Sequence, residues 1–200
     1  MRVRITGGQF GGRFIKTLPS LRPTSDLVRK AVFDILSDAV IDSSFLELYA
    51  GSGAVGIEAL SRGAARVLMI EKDHQHYQLI KDNLRDLESR LTDNHRSQRD
   101  PHRRWRDPAK CGDVKGGGAA VRQMPVEDFL AVNQSSYDIV YADPWYEDDL
   151  SIIGWEKLLA PDGLLVLEHS VLKEAPQNPA LKVLNHKRYG DTALTFYIRA

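Results

Sequence analysis

The chain has 200 residues, 42% of them hydrophobic and 27% charged, which suits one globular domain and excludes a wholly disordered, collagenous or coiled-coil protein. No run of about 18 apolar residues occurs, so no membrane span is expected, and the opening MRVRITGGQFGGRF lacks the apolar stretch of a secretory signal. The net charge is zero, yet residues 1–30 hold seven basic side chains against the single acid Asp26, a net +6, so a local basic face for a polyanion is not excluded.

The first 18 residues alternate loosely at Val3 and Ile5 and are cut by Gly7-Gly8 and Gly11-Gly12, which predicts a short glycine-hinged strand pair. Residues 1–20 are taken as a small β extension and 21–200 as the main domain. Thr24 or Ser25 is a suitable N-cap for a helix with Leu27, Val28, Ala31, Val32, Ile35 and Leu36 on one face and Arg29, Lys30 and Asp34 on the other. A strand over Phe45 to Ala50 runs into Gly51, and a helix over Ala54 to Arg62 stops at Gly63. Arg66 to Glu71 is the next strand and His74 to about Glu88 the next helix. There follow a short strand near Val121–Met124, a helix from Val126 to about Val132 and a strand over Tyr137 to Ala142. A helix around Leu150–Leu159 closes on Pro161-Asp162-Gly163, then Leu164 to Glu168 forms a strand. Leu181–His186 and Ala193–Ile198 form a hairpin about Tyr189-Gly190-Asp191. This alternation predicts an α/β fold, a mostly parallel sheet with helices on both faces and an antiparallel hairpin at one edge.

Residues 89–115 break the composition, with eight Arg or Lys against four Asp and few aliphatic residues, and run into Gly116-Gly117-Gly118. Such a stretch builds no core; the span 89–120 is a solvated insertion or a basic arm whose Trp105 stacks on a base. The single cysteine, Cys111, supports neither a disulfide framework nor a cysteine zinc site and favours a cytoplasmic protein. His74-x-His76 points to different helix faces, so no metal is expected. Tyr77 and Asn83 are expected to fill and end their helix.

Two constellations carry chemistry. In Gly51-x-Gly53-x-x-Gly56 a strand enters a glycine turn and opens a helix, so backbone N–H groups face a closely approaching ligand. The next strand ends at Glu71, twenty residues after Gly51, where a carboxylate accepts both ribose hydroxyls of a nucleoside-like cofactor. Glu47, inside the first strand, either complements a cationic ligand or pairs with Arg62. Asp143-Pro144-Trp145-Tyr146 follows the Tyr137–Ala142 strand, at the carboxyl end where open α/β sheets bind ligands. There the Asp143 carboxylate and the Pro144 carbonyl each accept an N–H from an exocyclic amine, and Tyr146 stacks on the base. Taken alone, Asp-Pro is also a common turn.

Arg22-Pro23-Thr24-Ser25-Asp26-Leu27-Val28-Arg29, the run from Leu48-Tyr49-Ala50-Gly51-Ser52-Gly53 through Ser61-Arg62-Gly63-Ala64, Glu71, Asn83-Leu84 and Asp143-Pro144-Trp145-Tyr146 together resemble the RsmD family. These are bacterial S-adenosylmethionine-dependent methyltransferases of the N2 amine of a guanine in 16S ribosomal RNA. The resemblance implies a Rossmann-like class I methyltransferase fold with a seven-stranded sheet, acting as a monomer on 16S ribosomal RNA or a small-subunit particle. It implies a cofactor set of Glu47, Tyr49, Gly51, Ser52, Gly53, Glu71, Lys72, Met124, Pro125, Val126 and Asp143, catalysis by Asp143, Pro144 and Tyr146, and S-adenosylhomocysteine as product. Arg4, Arg13, Arg22, Thr24, Arg29 and Trp145 are the corresponding RNA contacts. Trp145 stands where the family has a second proline, and Pro125 stands where related enzymes place an Asp beside adenine. Methylation of adenine or of a protein amide, an NAD-dependent oxidoreductase on the same glycine fingerprint, and a non-catalytic RNA-binding assembly factor are the competing functions.

Overall fold

The computed structural model describes residues 1–21, 24–94, 118–144 and 151–200, with residues 90–94 described by backbone alone. Most of the basic insertion, with Trp105 and Cys111, therefore lies outside the described residues, as do Arg22, Trp145 and Tyr146. The described residues form two sheets. The smaller pairs β1 (Arg2–Arg4) with β2 (Phe14–Lys16) antiparallel, Val3 facing Ile15. The larger has seven strands: β3 (Ser44–Leu48), β4 (Arg66–Glu71), β5 (Gly118–Gln123), β6 (Tyr137–Ala142), β7 (Leu159–Ser170), β8 (Leu181–Tyr189) and β9 (Thr192–Arg199). Their order is β5-β4-β3-β6-β7-β9-β8, parallel from β5 to β7, with β9 antiparallel to both β7 and β8. The expected fold class is the one observed.

β3 is buried along its whole length, because apolar side chains project to both faces and each face is covered. On one side α1 (Asp26–Leu36), α2 (Ala54–Ser61) and α3 (His74–Asn94) join the strand pair β1–β2 in a core containing Val3, Phe10, Val32, Phe45 and Ile57. On the other, α4 (Val126–Val132) and a 3₁₀ turn at Trp155–Leu158 cover Leu46, Leu48 and Val140. No described helix is long and apolar enough to cross a membrane.

Four sequence expectations need correction. Ser25 caps α1 as expected, its hydroxyl accepting from the Val28 N–H, but the buried stripe is Val28, Arg29, Val32, Phe33 and Leu36. Leu27 stays 66% exposed because Arg29 has buried partners that turn the helix toward them. The α3 helix runs on to Asn94, so Asn83 does not end it; buried in mid-helix, Asn83 accepts from the Lys16 N–H and donates to the Lys16 and Ser52 carbonyls. Of the expected 150–159 helix, the described residues 151–159 hold only the 3₁₀ turn, entered through Gly154 at a φ of 87° that breaks helical geometry. β7 accordingly begins at Leu159; its register with β6 shifts between Tyr137/Leu159 and Ile139/Leu164, so the Pro161-Asp162-Gly163 segment is an irregularity within the strand.

The β1–β2 pair is tied to the main core through Glu58. This α2 carboxylate is fully buried, which is tolerable only with partners on every side. It accepts from the Thr6 backbone N–H and hydroxyl at 2.7 Å each and from Arg62 Nε at 2.8 Å, with Arg29 Nε at 3.6 Å.

Candidate active site

The carboxyl ends of β3, β4 and β6 converge where the strand order reverses direction, β4 lying on one flank of β3 and β6 on the other. A cavity of about 760 Å³ opens there, a size suited to a cofactor-sized ligand.

Its first wall is local in sequence. After β3, Tyr49 adopts a φ of 58°, a sparsely populated conformation for a side-chain-bearing residue, of the kind that gathers at functional sites. Gly53 then starts α2 at a φ of 72°, which a residue with a Cβ rarely adopts. Gly56 answers a different need. A Cβ there would lie 2.6 Å from Glu47 Oε2 and 2.9 Å from Met69 Sδ, and only a bare backbone lets its N–H reach that carboxyl at 2.8 Å.

Glu47 is buried, and burial pushes its carboxyl up to about 8 against the opposing backbone hydrogen bonds from Gly56 and Val55. Without a ligand it is therefore mostly protonated at neutral pH. It does not pair with Arg62, whose guanidinium is committed to Glu58. Glu71 accepts the Gly51 N–H at 2.7 Å with one oxygen and the Asp73 N–H at 2.8 Å with the other. Two backbone donors thus fix the carboxylate plane while each oxygen keeps further acceptor capacity toward the cavity. Of the remaining residues expected on this wall, Tyr49, Gly51, Ser52, Lys72 and Val126 line the cavity. Gly53, Met124 and Pro125 are not among its lining residues; Glu127, to which the sequence assigned no role, is.

The second wall is assembled from distant segments. Asp143 and Pro144, just past β6, line the cavity beside Tyr141, Glu168 and Thr24. The Tyr141 hydroxyl donates to Glu168 Oε2, and burial with the neighbouring Glu168 and Asp143 charges keeps the phenol protonated far above its usual range. Thr24 Oγ1 donates to Asp143 Oδ2 at 3.3 Å and stands 3.5 Å from the Tyr141 hydroxyl. A chain of polar groups, Asp143, Thr24, Tyr141, Glu168, therefore lines this side. Thr24, expected to face RNA, is directed at the Asp143 carboxylate instead.

Arg29 is also displaced from its expected role. It is 1% exposed, and its guanidinium donates to the Thr24 and Arg4 carbonyls and to Asp26. A cation so enclosed cannot reach a phosphate at the surface; it holds the segment that carries Thr24. Arg4 is exposed, while Arg13 lays its guanidinium over the Phe10 ring at 5.5 Å.

Tyr141, Glu168 and the hairpin residues Tyr189, Gly190, Asp191 and Thr192 all line the cavity, and none of them was expected there from the sequence. Glu168 carried the signal that marked Glu71, an acid near the end of an apolar strand. Among the described residues no cluster of three metal-ligating side chains is present.

The family model described as Conserved hypothetical protein 95 matches residues 3–115 and 113–198. The chain is similar to the Ribosomal RNA small subunit methyltransferase D of Escherichia coli K12, 31% identical over 206 residues that cover 99% of this chain and 90% of that protein. Among solved structures, Escherichia coli yhhF superposes with a TM-score of 0.76 at 30% identity, covering 100% of this chain and 98% of the other. A hypothetical protein of Thermus thermophilus gives a TM-score of 0.73 at 29% identity, covering 97% and 98%.

Proposed function

The chain belongs to the RsmD family of methyltransferases, and on that premise we propose that it transfers a methyl group from S-adenosylmethionine to the exocyclic N2 amine of a guanine in 16S ribosomal RNA. The acceptor is a small-subunit assembly particle in the cytoplasm. One observation carries the reading: Asp143 and Pro144 share a single cavity with the Tyr49–Ser52 turn and Glu71.

S-adenosylmethionine, when bound, supplies a methyl group already activated on a sulfonium, with S-adenosylhomocysteine as the product. The wall described above fits such a molecule by its donors and acceptors. Glu71 would receive ribose hydroxyls, the Gly51–Ser52 backbone would allow close approach, Lys72 borders the site, and Val126 and Glu127 would flank the adenine. Glu47, on the floor, is a carboxyl that a neighbouring cation converts to a carboxylate.

The exocyclic amine of guanine is a poor nucleophile, its lone pair being delocalised into the ring. The Asp143 carboxylate and the Pro144 carbonyl each accept one N–H, drawing the nitrogen toward a tetrahedral shape with its lone pair free. The proton lost on methylation passes to an Asp143 carboxylate oxygen. Thr24 Oγ1, 3.3 Å from Oδ2, fixes the rotation of that carboxylate, and Tyr146 stacks on the base. Positioning of this kind supplies most of the acceleration. Arg4, Arg13, Arg22 and Trp145 contact the RNA around the entering base; Arg29, being buried, does not.

The test offers labelled S-adenosylmethionine with free 16S ribosomal RNA, with unmethylated small-subunit particles and with DNA. Label is expected in particle RNA, recovered as N2-methylguanosine after nucleoside digestion. Label in adenosine or DNA overturns the assigned acceptor. No label, together with no cofactor binding by calorimetry, overturns the enzyme and leaves an RNA-binding assembly factor.

A further inference from the structure

One edge strand of the large sheet is β8, which among the described residues pairs with β9 alone. Residues 182–184 and 186–188 are exposed. The strand carries Lys182, Lys187 and Arg188 and no acid. None of these three cations forms an ion pair among the described residues.

Strict alternation from Leu181 would put Lys182, Leu184, His186 and Arg188 on one face. The pairing with β9 slips between Val183, opposite Tyr197, and Asn185, opposite Phe196, which makes Leu184 an inserted residue. A bulge of one residue reverses the alternation beyond it. Residues opposite one another on paired strands share a face, so the β9 partners decide the outcome. Leu194 and Phe196 belong to the core on the α1 side of the sheet, Tyr197 to the core on the other. Lys187, opposite Leu194, and Tyr189, opposite Thr192, therefore lie on the α1 face, together with Lys182, opposite Ile198. His186 and Arg188 lie on the far face. Tyr189 and Thr192 line the cavity, so the bulge places both lysines in one row with a residue of the cavity wall. At about 3.3 Å per residue, Lys187 and Lys182 sit roughly 7 Å and 20 Å along the strand from Tyr189.

We propose that the α1-side face of β8 is a phosphate-binding track that guides RNA to the cavity, with Lys182 and Lys187 as its contacts; this rests on the RNA substrate assigned above. Edge-strand lysines also discourage pairing with another chain, a role indifferent to the face they occupy. Facing is what separates the two roles.

Lys187→Gln and Arg188→Gln remove the same charge from adjacent residues on opposite faces. Binding of the full chain to a 16S ribosomal RNA transcript is measured between about 50 and 200 mM salt, a range in which phosphate contacts dominate the response. Lys187→Gln and Lys182→Gln are each expected to flatten the log–log salt slope by about 0.7 and to weaken binding several-fold, while Arg188→Gln leaves both unchanged. Cofactor affinity, read by calorimetry, stays the same in all three and reports an intact fold. Equal effects from Lys187→Gln and Arg188→Gln, or none from either lysine variant, overturn the track. If the wild-type chain neither binds nor methylates RNA, the proposed function fails with it. If the wild type methylates RNA and the lysine variants bind like it, only the track fails.

Discussion

The two walls of the cavity are built in opposite ways. The wall assigned to the cofactor comes mainly from β3 through the start of α2, closed by Glu71, and its important atoms are backbone N–H groups and carboxylates held by them. The wall assigned to the base draws single side chains from positions 24, 141, 143, 168 and 192, held by side-chain hydrogen bonds. Backbone geometry is set by local sequence and tolerates little change. A side-chain wall depends on segments that meet only after folding and is open to variation one residue at a time. The first wall suits a ligand common to many enzymes, the second a particular acceptor.

Four substitutions or measurements separate the walls. The largest effect is expected from Asp143→Ala, which should reduce transfer by about a hundredfold or more while cofactor affinity is retained; an active variant would remove the aspartate from the chemistry. Gly56→Ala should damage the other wall, because the new methyl has to displace Glu47 Oε2 or Met69 Sδ. Thermal or denaturant unfolding should show a loss of about 1–3 kcal/mol, accompanied by weaker cofactor binding. Unchanged stability would mean that this wall yields more readily than its contacts suggest.

Thr24→Val tests the chain of polar groups. It should lower kcat about tenfold, the scale of one hydrogen bond to a charged group, leave cofactor affinity alone, and be rescued by Thr24→Ser. A change in RNA KM with kcat preserved would return Thr24 to RNA contact.

The smallest signal concerns a proton on Glu47. Its carboxyl is raised from 4.5 to about 8 in the folded protein, so the folded state binds more protons than the unfolded state between those values. Its contribution to stability is thus fully present at low pH and is lost as pH rises from about 4.5 toward about 8. A cation placed beside it favours ionisation, so cofactor binding at pH 7 should release a fraction of a proton. Calorimetry in buffers of differing ionisation enthalpy reads this directly. Glu47→Gln should abolish the buffer dependence, and a buffer-independent heat in the wild type would contradict the raised value.

The same contrast explains how much the sequence disclosed. The Gly51–Gly56 turn, Glu71 and the strand leading to Asp143 were legible because each needs a short run of residues in a fixed order. Tyr141 and Glu168 were not, since nothing along the chain says that a strand-end tyrosine will meet an acid 27 residues later. Arg29 misled for a related reason. An arginine on a helix is ordinarily solvated, and its burial becomes tolerable only when the Arg4 carbonyl, the Thr24 carbonyl and the carboxylates of Asp26 and Glu58 gather round it in the fold. The face of Lys187 was hidden by a bulge that can be seen only in the pairing with β9.

Glu58 has a consequence for how the molecule holds together. Its oxygens gather Thr6 from the connection between β1 and β2, Arg62 from the end of its own helix and Arg29 from the helix that follows Thr24. Peeling away the first residues would leave a carboxylate in the interior with part of its hydrogen-bonding lost, a penalty of several kcal/mol. The small strand pair is therefore no detachable ornament. It acts as a clasp, so that loosening the amino terminus also loosens the segment that carries Thr24 to Asp143, and the mouth of the cavity cannot open by that route without cost to the fold.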